Sequence, residues 1–74
     1  MRERVLEILK KTRDDIDYEK EQALIDDGIL DSFDIIGIVS DFNEEFGVDI
    51  TADDLEPDNF NNVDAMVKLI TSLQ

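Results

Sequence analysis

The chain has 74 residues, a net charge of −13 and apolar residues at 42% of its positions, which leaves room for one small domain whose core is too substantial for a disordered acidic tail. Twenty Asp and Glu against seven Lys and Arg exclude polyanions such as DNA and RNA as partners and favour basic protein surfaces. Without cysteine or histidine the chain has no disulfide, no thiolate metal site, and neither the commonest general base nor the commonest metal ligand.

The opening stretch, MRERVLEILKK, sets charges among its apolar positions and has no uninterrupted apolar run. It is expected to be neither a signal peptide nor a membrane span, which makes the cytoplasm the expected location. Val5, Leu6, Leu9 and Ile16 recur near helical spacing, with Glu3 early and Lys10, Lys11 and Arg13 late, as the helix dipole favours. This predicts a first helix over residues 2–14.

Residues 15–31 show no sustained period and are expected to form a long loop, pinned to the core by Ile16, Tyr18, Leu24, Ile25, Ile29 and Leu30. Loops of this length in small domains usually carry function.

A second helix is predicted over residues 32–46, stopped by Gly47. On a helical wheel Ile35, Ile38, Val39, Phe42 and Phe46 share one apolar wedge, and Asp34, Asp41, Glu44 and Glu45 fall on the far side. Phe33 and Ile36 lie off the wedge. Phe33 is expected to pack on the long loop; Ile36 has two readings, packing on the loop or third helix, or contact with a partner or cargo.

Thr51 and Asp54 have capping-box spacing, with Pro57 soon after, so a short third helix is predicted over residues 52–56. A last helix over residues 62–73, capped by Asn61 or Asn62, would bury Val63, Met66, Val67, Ile70 and Leu73. Hairpin signals and internal repeats are absent. The fold expected is all-α: one domain of four helices, with a long loop after the first and a short third.

Ser32 stands at the start of the second helix, where a serine is ordinarily the cap. Here the cap-to-third-position spacing belongs to Asp31 and Asp34, whereas Ser32 is followed at that spacing by Ile35. Asp31 is expected to cap and to leave the Ser32 hydroxyl exposed. Such a serine is no catalytic nucleophile, because the chain lacks histidine and the nearest preceding lysine, Lys20, lies well upstream in the loop. No enzyme is expected; the serine is instead a substrate for modification. A calcium module is also disfavoured, since the EF-hand loop needs glycine at its sixth position and counting from Asp15 finds Lys20. No metal site is expected.

The stretch GILDSFDIIGIVSDFNEEFGVDI resembles the acyl carrier protein family, whose Asp-Ser-Leu or Asp-Ser-Phe tripeptide opens the second helix. The likeness extends over nearly the whole chain. It implies a four-helix bundle of the acyl-carrier type, with a 4′-phosphopantetheine arm, drawn from coenzyme A, esterified to Ser32. It further implies that Asp31 aids a magnesium-dependent phosphopantetheinyl transferase, and that Asp34, Asp41, Glu44 and Glu45, with Ile36, meet partner enzymes bearing basic patches. A phosphodiester there would sit at the positive end of the helix dipole, worth about 0.3–1 kcal/mol.

The resemblance therefore implies a monomeric, stand-alone carrier that holds acyl or aminoacyl groups as thioesters for a loading ligase and downstream acyl-transferring enzymes. Gly37 and Ser40 stand where fatty-acid carriers commonly have glutamate and methionine, and the tryptophan common in D-alanyl carriers is missing. Cargo, pathway and loading enzyme stay open, with an amino acid or short acyl group ahead of a long fatty chain. The alternative function is an unmodified acidic helical adaptor.

Overall fold

The computed structural model describes residues 1–74 as helices and connections without strands. Helix α1 spans Arg2–Thr12, α2 Ser32–Phe46, α3 Pro57–Phe60 and α4 Val63–Leu73, with a single 3₁₀ turn at Ala52–Asp54. The all-α, four-helix expectation is met. None of the helices is long and apolar enough to cross a membrane.

Helix α1 packs against both α2 and α4, and α3 packs against α4. A helix with two neighbours needs a wide apolar arc, so α1 buries Ile8 together with the expected Val5 and Leu9. For the same reason α4 buries Leu69 beside Val63, Met66 and Ile70, whereas Leu73, expected on that face, stays exposed in the last turn. From α2 come Ile38 and Phe42, with Ile35, Val39 and Phe46 half-buried around them. The Phe42 and Phe46 rings meet edge-on, centroids 6.0 Å apart.

Helix α1 ends two residues before the expected position 14. Arg13 is already extended, and the end is held by a buried side chain: the Tyr18 hydroxyl lies 2.7 Å from the Arg13 carbonyl and 3.0 Å from that of Leu9. The Arg13 carbonyl has no helical partner beyond the C-terminus, whereas that of Leu9 also accepts the Arg13 amide at 2.8 Å; the long loop folds back to bring the hydroxyl to both. Tyr18, Leu24 and Leu30 are buried and Ile16, Ile25 and Ile29 pack on the core, as expected.

The third helix does not lie at 52–56. Thr51 and Asp54 form the expected capping box, but only a 3₁₀ turn follows, and Leu55 leaves helical geometry. Glu56 precedes a proline and is extended, because the proline ring crowds the helical conformation of the residue before it. Pro57 then opens α3 as its first residue, where its missing N–H costs nothing.

Of the two candidate caps for α4, Asn62 is the cap: its side chain accepts the Ala65 amide at 2.7 Å. Asn61 is buried and works elsewhere. Its Oδ1 accepts the amides of Ile25 and Asp26 at 3.0 and 3.1 Å, its Nδ2 donates to Asp26 Oδ2 at 3.0 Å, and its carbonyl accepts the Leu24 amide at 2.9 Å. One side chain at the α3–α4 junction thus fastens the middle of the long loop.

Candidate functional site

The first turn of α2 starts where an aspartate can satisfy its free amides. Asp31 is extended; its Oδ1 accepts the Asp34 amide at 2.9 Å, and Asp34 Oδ2 accepts the Asp31 amide at 3.3 Å, closing a reciprocal capping box. Ser32, the first helical residue, is exposed, and none of the chain's side-chain hydrogen bonds uses its hydroxyl. The expected division of labour between Asp31 and Ser32 is present in the geometry.

Beside this serine lies an apolar groove of about 370 Å³. Its walls are Ile25 and Leu30 from the loop, Ile36 from α2, and Leu55, Pro57 and Phe60 from the segment around α3; Asp31, Ser32 and Glu56 also line it. Three separate segments converge there because Asn61 ties the loop to the start of α4. Ile36 is 63% exposed and lines this groove. Phe33 does not pack on the loop. It is 84% exposed, because the first turn of α2 directs it away from the core that takes Ile35 and Ile38.

The four carboxylates of α2 do not act as one row. Asp34 is only 16% exposed, since it completes the capping box and accepts Arg13 Nη1 at 3.1 Å. Arg13 also pairs with Asp15 at 3.1 Å. Asp15 first, and Asp34 after it, hold the Arg13 guanidinium above its ordinary pKa, and the same hydrogen bond to Arg13 draws the Asp15 carboxyl below the usual range. Glu45 pairs with Arg4 at 2.6 Å. Asp41, Glu44 and Glu45 gather with Lys11 around a separate polar recess of about 260 Å³. Asp41 is half-buried and Glu44 exposed, and neither forms an ion pair within the chain.

Arg13 and Asn61 were not singled out as site residues from the sequence, and the wall formed by Leu55, Pro57 and Phe60 was missed. Pro57 offered a signal: proline is favoured at the first position of a helix as well as after the last. No local signal marked Arg13 or the loop-fastening role of Asn61.

No group of three or more acidic side chains is arranged to hold a metal ion. The site offers an unengaged primary hydroxyl at the positive end of a fifteen-residue helix, next to an apolar groove. It can be esterified and can shelter an apolar chain, but no histidine or lysine lines it to activate the hydroxyl as a nucleophile. A family model described as a phosphopantetheine attachment site matches residues 1–70. No curated protein matches the chain.

Proposed function

Since the chain belongs to the phosphopantetheine attachment-site family, we propose that Ser32 bears the arm and that the protein carries acyl or aminoacyl groups between enzymes. Carrier domains of this family bind 4′-phosphopantetheine covalently and are not themselves catalysts. The observation that carries the assignment to Ser32 is the reciprocal cap of Asp31 and Asp34, which leaves that one hydroxyl exposed and unbonded.

The residues present fit the group. Ser32 would provide the ester oxygen, the positive end of α2 would favour the phosphate, and the groove walled by Ile36, Leu55 and Phe60 is an apolar surface beside the attachment point. When bound, the arm supplies a terminal thiol, absent from the polypeptide, that holds cargo as a thioester. The chain's part is to present the hydroxyl to the transferase, with Asp31 beside it, and afterwards to present the cargo to loading and acyl-transferring enzymes.

Those partners are proposed to carry basic patches. Asp41 and Glu44 offer the free carboxylates on α2, and Ile36 adds an apolar contact near Ser32, whereas Asp34 and Glu45 are already committed to arginines of the same chain. A net charge of −13 speeds encounter with cationic surfaces and disfavours self-association, which supports a monomer that docks transiently. The proposed location is the cytoplasm.

The test is intact-mass measurement after incubation with coenzyme A, magnesium and a broad-specificity phosphopantetheinyl transferase. A single added arm that is lost in Ser32→Ala supports the proposal; an arm retained in Ser32→Ala, or none on the parent chain, overturns it. An unmodified adaptor would give the second of those results.

A further inference from the structure

The first turn of α2 is an awkward place to add negative charge. Asp31 and Asp34 already stand there, and the helix dipole offsets only part of their repulsion. Among the seven Lys and Arg, Arg2 pairs with Asp64 and Glu19, Arg4 with Glu7 and Glu45, and Lys20 with Asp17. Arg13 alone forms an ion pair with the first turn.

The placement of Arg13 is specific. Its Nη1 and the Asp31 amide meet on the same atom, Asp34 Oδ2, at 3.1 and 3.3 Å. The guanidinium therefore lies within about one physiological Debye length, roughly 8 Å, of the backbone that leads into Ser32. Its approach is fixed from the other side by Asp15, which accepts both Nε and Nη2 at 3.1 and 3.2 Å. A fork held by two hydrogen bonds to one carboxylate loses little further freedom in pairing with a second.

We propose that Arg13 is the built-in counter-charge of the modified state, holding the capping box closed when Ser32 gains an anionic phosphodiester. The proposal rests on the assignment of the arm to Ser32. Arg13 acts through Asp34 and is a positioning residue. Without it, the phosphodiester and the two aspartates compete for one helix terminus, and the turn opens by releasing Asp34 from the Asp31 amide. Before modification only the two aspartates share that terminus, so removing Arg13 then costs less.

The experiment compares thermal unfolding of unmodified and modified forms, each verified by intact mass, for the parent chain, Arg13→Gln, Arg13→Lys and the double variant Arg13→Gln/Asp34→Asn. In the parent the two forms are expected to melt within about 2 °C of each other, and modified Arg13→Gln about 4–8 °C below its own unmodified form at low salt. High salt closes that gap by screening. Arg13→Lys keeps the charge but not the fork, so its gap is expected to fall between those of the parent and Arg13→Gln, and Asp34→Asn, which removes one of the competing charges, rescues Arg13→Gln.

A parent chain that takes up the arm on Ser32, with equal loss in both forms of Arg13→Gln, overturns the role of Arg13 and leaves the carrier assignment intact. Failure of the parent to take up the arm overturns both. An unmodified Arg13→Gln that does not fold makes Arg13 a general structural residue and also overturns the proposal. So does an Arg13→Lys form whose gap equals that of Arg13→Gln, because charge would then not be the cause.

Discussion

Asp31 and Asp34 cap one another: each carboxylate accepts the other residue's amide, at 2.9 and 3.3 Å. Ser32 stands between them and takes no part. Asp31→Ala is therefore expected to cost about 0.5–2 kcal/mol in urea unfolding. Ser32→Ala should change stability by no more than about 0.5 kcal/mol, as for an ordinary surface site. A Ser32→Ala loss as large as that of Asp31→Ala would mean that the serine is the cap.

Asn61 ties residues 24–26 to the start of α4 through its side chain and its carbonyl. Asn61→Ala leaves two loop amides without their acceptor and is expected to cost about 1–3 kcal/mol. Hydrogen exchange at Ile25 and Asp26 should accelerate more than exchange at the amides of Ile38 and Phe42. Asn61→Asp keeps the acceptor but sets a second carboxylate against Asp26. Its destabilisation should shrink as the pH falls toward about 4, where carboxylates begin to protonate.

Burial pushes the Tyr18 phenol up to about 12 from an ordinary 10.0. The folded state thus holds this proton more tightly than the unfolded chain does. The contribution is complete below pH 10 and is lost as the pH rises to about 12. Stability measured across that window should fall in the parent and fall less in Tyr18→Phe, which begins lower because it has lost the bond to the carbonyl of Arg13. Parallel curves for the two chains would remove Tyr18 as the cause.

Gly47 and Gly37 should respond oppositely to alanine. Gly47 ends α2 at φ 64°, a conformation that a Cβ disfavours, so Gly47→Ala is expected to cost about 1 kcal/mol. Gly37 lies inside α2, and an added Cβ there meets nothing within 4 Å. Gly37→Ala should stabilise by about 0.5–1 kcal/mol through the entropy of the unfolded chain. Urea midpoints decide both.

Salt should stabilise the protein. Exposed ion pairs such as Arg2–Asp64 and Arg4–Glu7 are worth little and lose strength on screening. Repulsion within a net charge of −13 is also screened, and it acts over the whole surface. A melting temperature that rises from low to high salt is expected, and one that falls would show the arginine pairs to be the larger effect.

Features written within one or two turns of chain were legible without coordinates. The span of α2, its stop at Gly47, the Asp31–Asp34 cap and the resulting exposure of Ser32 all follow from residues three or four apart, where backbone geometry leaves few alternatives. The short elements were less legible. The helix expected at 52–56 is a 3₁₀ turn at Ala52–Asp54, and α3 lies beyond it at Pro57–Phe60, because a capping box and a proline each suit more than one arrangement.

Composition and local spacing thus determined an acidic all-helical domain with one serine hydroxyl left over at a helix start. Only the tertiary structure decided what surrounds that hydroxyl. Arg13 reaches Asp34 across 21 residues, Asn61 reaches Ile25 across 36, and the groove takes walls from three segments. Such pairings depend on how a long loop closes over the core, a choice made by the packing of Tyr18, Leu24 and Leu30 together rather than by any residue's neighbours in the chain.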